Sequence, residues 1–253
     1  MTQMKAALRS WIRERLPVAL IEQYRAIRLA RERKANARRG TQAVFEEIYA
    51  DNRWGGVPGE FCSGSGSDVA FTEKYARLVR AFVHEHAIAR IVDVGCGDFR
   101  VGRQIVSPSV RYTGVDVVKP LIEYNQRTYG GPGVSFVHCN AVTDALPDGE
   151  LCLIRQVLQH LSNDQVQAIV HKALQQYRYV LVTEHLPAPG PWVRPNRDKP
   201  HGPDTRIADD SGLFLDQPPF SFPVEAVLLR MDVVQPLRRS GEQIVTFLLR
   251  ARG

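Results

Sequence analysis

Two glycines and several acidic residues follow the ends of short apolar runs in the middle of the chain. The run 91–94 leads directly into Gly95-Cys96-Gly97-Asp98, and the next apolar run ends near Asp116, 21 residues after Gly95. Glycines in such a turn let the backbone approach a bound ligand. A carboxylate at the end of the next strand can accept hydrogen bonds from both hydroxyls of a ribose. Position 100 is Arg, so the third glycine of a dinucleotide-binding fingerprint is missing. The pattern predicts a site for a ligand that contains a ribose.

Alternating strands and helices place these residues at one edge of a predicted sheet. Strands are expected at 91–94, 112–117, 134–139, 151–155 and 179–183. Helices are expected at 68–86, with Asp68 as N-cap, and at 99–105, 120–129 and 163–176. Two later apolar runs, 224–234 and 243–249, predict an antiparallel hairpin. This order is typical of α/β proteins. We predict a Rossmann-like, doubly wound seven-stranded sheet with a terminal antiparallel hairpin and an N-terminal helical extension.

The N-terminal segment differs from the rest of the chain in charge. Residues 1–40 hold eleven basic and three acidic residues, a net charge of +8, whereas the whole chain carries +6. Apolar spacing predicts helices at 3–16, 18–35 and 43–50. A basic helix with one apolar face can lie on anionic lipid or dock on a partner. The alternatives are a helical cap on the domain and a homodimer contact. Nucleic acid is not an expected partner, because the body that would hold it is slightly acidic.

Composition argues against several other classes of protein. The four cysteines show no C-x-x-C spacing, which disfavours a zinc ribbon, a thioredoxin-like site and an iron–sulfur cluster. No stretch approaches the roughly 18–20 apolar residues of a membrane span, and no signal-peptide core is found. We expect a cytoplasmic protein, with contact to the inner face of the membrane left open.

The motif V-D-V-G-C-G-D at 92–98, with G-V-D-V at 114–117, resembles the class I S-adenosylmethionine-dependent methyltransferases over roughly residues 68–186. Several short segments are similar to a bacterial subfamily associated with glycan assembly: N-R-W-G-G at 52–56, S-G-S-G-S at 63–67, C-G-D-F at 96–99, G-V-D-V-V at 114–118, L-Q-H-L-S at 158–162 and Q-P-P-F at 217–220. The Gly/Ser run is either a linker or a loop that closes over a ligand. The resemblance implies a basic arm and cofactor-capping segment at 1–67 and a methyltransferase domain at 68–253.

The resemblance also implies how S-adenosylmethionine is held. Its methionine part would lie over Gly95, Cys96 and Gly97, and Asp93 would bind its ammonium group. Asp116 would hold the ribose. The other cofactor-binding residues would be Val117, Asn140 and Ala141 at the adenine, Gln156 beside the sulfonium, and Trp54 and Ser65 closing over the ligand. The family usually has Asp where this chain has Asn140, but an amide oxygen can accept the same hydrogen bond.

Methyl transfer to a hydroxyl calls for a base or a metal, because an alcohol is a poor nucleophile at neutral pH. His160 follows the fourth predicted strand and suits a general base; alternatively, its ring packs or caps a helix. Glu184, after the fifth strand, is expected to orient His160 and stabilise its charge, or to ligate a divalent metal. The loop 187–223, with nine prolines, is expected to be a lid, and four of its residues are candidates for Mg²⁺ or sugar hydroxyls: His201, Asp204, Asp209 and Asp210.

We predict an O-methyltransferase that acts on a hydroxyl of a sugar or polysaccharide precursor. One alternative is a lipid or quinone-like acceptor at the membrane surface. Another is a non-catalytic cofactor-binding partner in an assembly complex, which rests on Gln156, where many relatives have an acid. The segment Q-P-P-F is similar to a motif of nucleic-acid amino-methyltransferases, but that motif ends the fourth strand, about 60 residues earlier. We therefore interpret it as a rigid loop.

Overall fold

Seven strands form one mixed sheet in the structure, a computed structural model that describes residues 18–67, 69–233 and 240–250. The strands are β1 (Arg90–Val94), β2 (Arg111–Asp116), β3 (Val134–His138), β4 (Leu151–Arg155), β5 (Tyr179–Leu186), β6 (Val224–Asp232) and β7 (Gln243–Leu249). Their order across the sheet is β3-β2-β1-β4-β5-β7-β6. Strands β1 to β5 are parallel, and β7 is antiparallel to both β5 and β6. The predicted fold class, with its terminal hairpin, is confirmed.

Helices cover both faces of the sheet. They are α1 (Val18–Asn36), α2 (Thr41–Ala50), α3 (Val69–Glu85), α4 (Lys119–Tyr129) and α5 (Asn163–Gln176). One core layer packs α2 and α5 against the sheet, and the layer on the other face includes α3. The central strands are mostly apolar because both of their faces are buried. None of the described helices is both long and apolar enough to span a membrane.

Helix α5 begins and ends at the predicted residues because its first turn is specified locally. The Ser162 hydroxyl accepts a hydrogen bond from the Gln165 N–H, and the Gln165 side chain accepts one from the Ser162 N–H, at 3.3 and 3.1 Å. This reciprocal capping box satisfies two N–H groups that otherwise have no partner at a helix start. The turn that precedes the helix carries His160, so the cap also fixes where the predicted base lies.

The helix predicted at 99–105 is wrong. The structure has only a short 3₁₀ turn there, Gly102–Gln104. Phe99 adopts a left-handed backbone conformation, with φ of 62°, which a helix cannot contain. Its buried ring packs 5.3 Å from the ring of Tyr112 and 4.9 Å from that of Phe136. Aromatic packing on the sheet therefore decides the backbone here, and the glycine turn is not followed by a helix N-terminus.

The proline-rich loop 187–223 is packed against the body of the protein. Leu213, Leu215 and Phe222 are buried in the core layer that contains α5. The buried Asn196 side chain donates to the Phe214 carbonyl at 2.9 Å and accepts from the Phe214 N–H at 2.8 Å. Within the described residues the loop has one 3₁₀ turn, Arg206–Asp209, and no α-helix. The helix predicted at 3–16 and the predicted N-cap at Asp68 lie outside the described residues, and the division into 1–67 and 68–253 stays a prediction.

Candidate active site

A cavity opens at the carboxyl ends of β1, β2 and β4, where the sequence predicted a ligand site. The empty space inside it and at its open mouth is about 1090 Å³. Eleven of the predicted site residues line it: Trp54, Asp93, Gly95, Cys96, Gly97, Asp116, Val117, Asn140, Ala141, Gln156 and His160. Glu184 is not among the lining residues, and the side chain of Ser65 lies outside the described part of the chain. The structure thus brings together residues from five separate segments.

The glycine turn after β1 has no room for side chains. Gly95 and Gly97 have φ of 71° and 55°, in the left-handed region that favours glycine. A Cβ atom on Gly95 would lie 2.3 Å from Val157 Cγ2, and one on Gly97 would lie 2.3 Å from Ser63 Oγ. Both positions require glycine, so the bare backbone forms this part of the cavity wall.

The S-G-S-G-S segment is tied to the glycine turn and is not a free linker. The Ser63 N–H donates to the Asp98 carboxylate at 2.9 Å, and the Asp98 N–H donates to Ser63 Oγ at 2.8 Å. The Tyr49 hydroxyl, from α2, lies 2.8 Å from the same Ser63 oxygen. Ser63 and Ser67 line the cavity. Of the two interpretations of this run, the structure favours a loop that covers the ligand site.

Asp116 is buried at the end of β2 and faces the glycine turn. Its carboxylate accepts hydrogen bonds from the Gly97 N–H at 3.2 Å and the Val118 N–H at 3.0 Å. Burial raises the pKa of Asp116, and these two backbone bonds act in the opposite direction. Each carboxylate oxygen can accept a second hydrogen bond. The residue is therefore fixed in position while it keeps the capacity to bind hydroxyl groups.

A buried cation that the sequence analysis left without a role lies at the other end of the cavity. Arg155, the last residue of β4, donates to the Gly66 carbonyl at 2.7 Å and lies over the Tyr75 ring, 5.2 Å from its centre. Burial lowers its pKa, and its Nε has no hydrogen-bond partner among the described residues. In the sequence, the signal that could have identified Arg155 is a charged residue at the end of an otherwise apolar strand. A buried guanidinium with an unused donor suits a carboxylate ligand.

Asp93 lines the cavity together with Arg155. Its carboxylate accepts a hydrogen bond from the Tyr112 hydroxyl at 2.5 Å. Burial raises the pKa of Asp93 to about 6, whereas the Tyr112 bond and the charge of Arg155 lower it. The cavity thus holds one carboxylate and one guanidinium. Together they can bind the ammonium group and the carboxylate of an amino-acid zwitterion.

The residues that follow β2 and β3 form a largely apolar part of the cavity wall. Val117, Asn140 and Ala141 belong to it, together with Val142. The Asn140 side-chain oxygen already accepts a hydrogen bond from the Val142 N–H at 3.1 Å. Because an amide oxygen has two lone pairs, it can accept one further bond. The predicted contact of Asn140 with an adenine amino group stays a prediction.

His160 and Trp54 form the wall on the far side of the glycine turn. Their ring centres are 5.0 Å apart, and Trp54 Nε1 donates to the Pro203 carbonyl at 3.1 Å. Burial lowers the pKa of His160 to about 4, and the charge of Lys199 acts in the same direction. The ring is therefore neutral at pH 7. Its Nδ1 has no hydrogen-bond partner in the part of the chain that the structure describes.

The family comparison covers the segment that builds most of this cavity. Residues 91–178 match the family described as Methyltransferase domain. Residues 91–178 are a methyltransferase domain. The predicted class of enzyme, a methyltransferase, is thereby confirmed. No curated protein sequence matches the chain.

Several solved structures are similar to this chain at low sequence identity. The N-terminal domain of EvdMO1 with SAH bound is 14% identical, with a TM-score of 0.51, and the match covers 85% of this chain and all of that domain. N-methyltransferase NodS from Bradyrhizobium japonicum WM9 is 14% identical, with a TM-score of 0.49 and coverage of 74% and 89%. The 1,6-didemethyltoxoflavin-N1-methyltransferase of Burkholderia thailandensis is 19% identical, with a TM-score of 0.47 and coverage of 83% and 87%. At this level the EvdMO1 likeness shows the fold alone.

A second chamber adjoins the cavity of the methyltransferase domain, and we call it the outer chamber. The residues that line both spaces are Trp54, Ser63, Gln156, Gln159 and His160. The outer chamber is completed by Gly64, Gly66, Phe71, His185, Pro203, Thr205, Val233 and Ile244. Aspartate and glutamate are absent from this lining as far as the chain is described. Its described lining thus consists of polar side chains, two histidines, aromatic rings and apolar side chains.

The predicted partner of His160 lies behind the cavity wall. The buried Glu184 carboxylate accepts a hydrogen bond from the Leu158 N–H at 2.9 Å. Burial raises the pKa of Glu184 to about 8. His185, the next residue, pairs with Glu242 at 3.0 Å. Glu184 therefore acts on the backbone of the turn that carries His160, and the structure does not bring its carboxylate to the cavity.

The acidic residues of the lid loop do not fit a Mg²⁺ site. Arg33 of α1 contacts the carboxylates of Asp204 and Asp209, each at 2.6 Å. Residues 18–67, 69–233 and 240–250 hold no group of three or more His, Cys, Asp and Glu side chains placed to bind a metal ion. Two of the predicted ligands are thus already bound to a cation, and we derive no step through a metal.

Proposed function

We propose that this methyltransferase transfers the methyl group of S-adenosylmethionine to a hydroxyl of a sugar or polysaccharide precursor. S-adenosylmethionine is the methyl donor, and when bound it supplies an electrophilic methyl group on a positively charged sulfur. The class of enzyme rests on the methyltransferase domain at 91–178. The acceptor is our inference from the outer chamber.

The charged groups that line the cavity are complementary to those of S-adenosylmethionine. The unused Nε donor of buried Arg155 is available for the carboxylate of the methionine part, and Asp93 for its ammonium group. Asp116 is available for the ribose, as a carboxylate in this position commonly is. The bare backbone of Gly95 and Gly97 lines the same cavity. The residues of this chain therefore provide a complementary partner for each polar part of the donor.

Two buried polar atoms, on side chains that line the outer chamber, carry the proposal of a hydroxyl acceptor. Gln159 Oε1 and His160 Nδ1 are buried and have no hydrogen-bond partner among the described residues, and both side chains line the outer chamber. A buried acceptor without a donor costs about 1–3 kcal/mol, so a ligand that brings donors is favoured there. Sugar hydroxyls are such donors, and Trp54 and Phe71 add aromatic surface that can pack against a sugar ring.

His160 is suited to take the proton that the hydroxyl loses. In the transfer, the hydroxyl oxygen bonds to the methyl carbon while the bond from that carbon to sulfur breaks, and its electron pair stays on sulfur. The oxygen becomes a strong acid as the new bond forms, so a neutral imidazole can accept its proton. The low pKa of His160 keeps the imidazole neutral beforehand. The described residues that line the outer chamber include no Asp or Glu, which also disfavours a positively charged amine as acceptor.

The test is a screen of sugar acceptors with the purified protein and S-adenosylmethionine, in which the methylated product is identified by mass spectrometry. We expect a methyl ether on a nucleotide sugar or oligosaccharide. His160→Ala should abolish the product, and His84→Ala, at an exposed histidine of α3, should not. Methylation of an amine, or of a quinone or simple lipid in preference to every sugar, would contradict the proposed acceptor. Binding of the donor with no turnover on any acceptor would favour the non-catalytic alternative.

A further inference from the structure

Helix α1 exposes a stripe of large apolar side chains to solvent. Leu20, Tyr24 and Ile27 are 50%, 67% and 47% exposed. Their spacing of four and three residues puts them on one face of the helix, because an α-helix turns by about 100° per residue. Apolar side chains scattered singly over a surface are ordinary, but a contiguous stripe marks an interaction site. We call these three residues the α1 stripe.

The opposite face of α1 is the one that holds the helix on the body. Leu29 is half-buried and Asn36 is buried. Arg33 donates to Asp204 and Asp209 of the lid loop. These three residues lie within about 40° of the direction opposite to the stripe. Body contacts therefore orient the helix so that the α1 stripe points away from the protein.

Exposed cations continue the stripe toward the end of the helix. Arg28, Arg31 and Lys34 are exposed, and Arg31 and Lys34 follow Ile27 at helical spacings of four and seven residues. They belong to the segment 1–40, whose net charge is +8. Apolar and basic side chains thus face outward together, so this face offers both apolar contact and attraction to an anionic bilayer surface.

We propose that the outward face of α1 docks on an anionic lipid surface, with the α1 stripe in the interface and Arg28, Arg31 and Lys34 at the headgroups. A second copy of the chain is a poorer occupant, because a symmetric contact across this face would bring the same cations together. Nucleic acid would leave the apolar stripe without a partner. The inference does not depend on the acceptor or on catalysis.

The experiment is co-sedimentation of the full-length protein with vesicles. We expect binding to phosphatidylcholine vesicles that contain about one-third phosphatidylglycerol, weak binding to pure phosphatidylcholine, and loss of binding as salt rises. The triple variant Leu20→Ser, Tyr24→Ser, Ile27→Ser should lower the partition coefficient by about tenfold or more. The double variant Arg28→Gln, Arg31→Gln should lower it by about 25-fold, since each basic residue near such a surface contributes about fivefold.

A matched control separates the stripe from general surface apolarity. The variant Val57→Ser, Val137→Ser removes two apolar residues that are exposed elsewhere, at 56% and 41%, and should leave vesicle binding unchanged. Circular dichroism of each variant should match that of the wild type. Absence of binding, equal binding to neutral vesicles, or full binding by the triple variant would overturn the proposal. So would a dimer that dissociates in the triple variant, because the face would then be a contact between copies.

Discussion

The backbone N–H of Leu158 donates a 2.9 Å hydrogen bond to the buried carboxylate of Glu184. Leu158 begins the 3₁₀ turn that ends at His160, and Glu184 lies on the neighbouring strand β5. The bond therefore connects the strand to the turn that carries the proposed base. Because burial raises the pKa of Glu184 to about 8, this carboxyl is mainly protonated at neutral pH, which reduces the cost of placing it in the core.

The first prediction concerns the pH dependence of stability. Between pH 4.5, the ordinary pKa of Glu184, and about 8, the folded protein keeps a proton that the unfolded chain has released. Wild-type stability therefore contains a contribution that falls as pH rises through this range. Glu184→Gln is neutral at every pH and should remove this contribution. Between pH 5 and pH 8 the wild type should therefore lose a few kcal/mol of unfolding free energy that the variant keeps, on the order of 1.4 kcal/mol for each pKa unit. Urea unfolding of both proteins at several pH values measures this difference. Parallel pH profiles would contradict a raised pKa.

The second prediction tests Arg155 as the carboxylate contact. Arg155→Gln should weaken binding of S-adenosylhomocysteine by about 10–100-fold, because a hydrogen bond to a charged group is worth about 1.5–3 kcal/mol. It should leave binding of 5′-methylthioadenosine nearly unchanged, since that molecule has no amino-acid part. Calorimetric titration of both ligands into both proteins gives the comparison. An equal loss for the two ligands would mean that the substitution disturbs the whole cavity.

The third prediction concerns Asp116 at the ribose. Asp116→Ala should weaken S-adenosylhomocysteine and 5′-methylthioadenosine alike, by about 100-fold, because both ligands carry the ribose. A selective loss in the Arg155 variant, together with an equal loss for both ligands in the Asp116 variant, would locate the two ends of the cofactor. Asp148→Ala removes an exposed carboxylate and serves as the control, with no change expected. Retained affinity in the Asp116 variant would place the ribose elsewhere.

The fourth prediction is the pH profile of activity, with an acceptor from the screen. Since burial lowers the pKa of His160 to about 4, the base stays unprotonated well below neutrality. The rate constant kcat/KM should therefore show no loss from His160 between pH 7 and about 5. His160→Ala should lower kcat by about 10²–10⁴-fold, with donor affinity kept. An acid limb near pH 6.5 that disappears in the variant would show that the ring titrates as an ordinary histidine.

The fifth prediction concerns the anchoring of the lid loop. Arg33 binds Asp204 and Asp209, and the neighbouring residues Pro203 and Thr205 line the outer chamber. Arg33→Met should therefore raise the KM for the acceptor several-fold and leave the affinity for the donor unchanged. Arg38→Met removes an exposed charge from the same segment and should change neither. If the Arg33 variant instead bound the donor more weakly and kept the KM for the acceptor, the lid loop would act on the donor and not on the acceptor.

Much of the fold could be predicted because its signals are local. Strand β4 and helix α5 have the predicted bounds, since a strand buried on both faces is a continuous apolar run and Ser162 with Gln165 specifies the helix start. The glycine turn and Asp116 could also be predicted as parts of one site. Each follows or ends a strand, and parallel strands place their carboxyl ends at the same edge of the sheet. The prediction of a helix at 99–105 was wrong because the ring of Phe99 packs on side chains that are remote in sequence.

The sequence by itself determined the α/β fold, the cavity edge and the chemical types of the residues placed there, because all of these follow from periodicity, turns and strand direction. Only the tertiary structure decided which of those residues meet. In it, Arg155 lies over Tyr75, and Glu184 lies behind the cavity wall. Arg33 contacts Asp204, which is 171 residues away in the chain. Such contacts depend on how distant segments pack, and neither local propensity nor spacing contains that information.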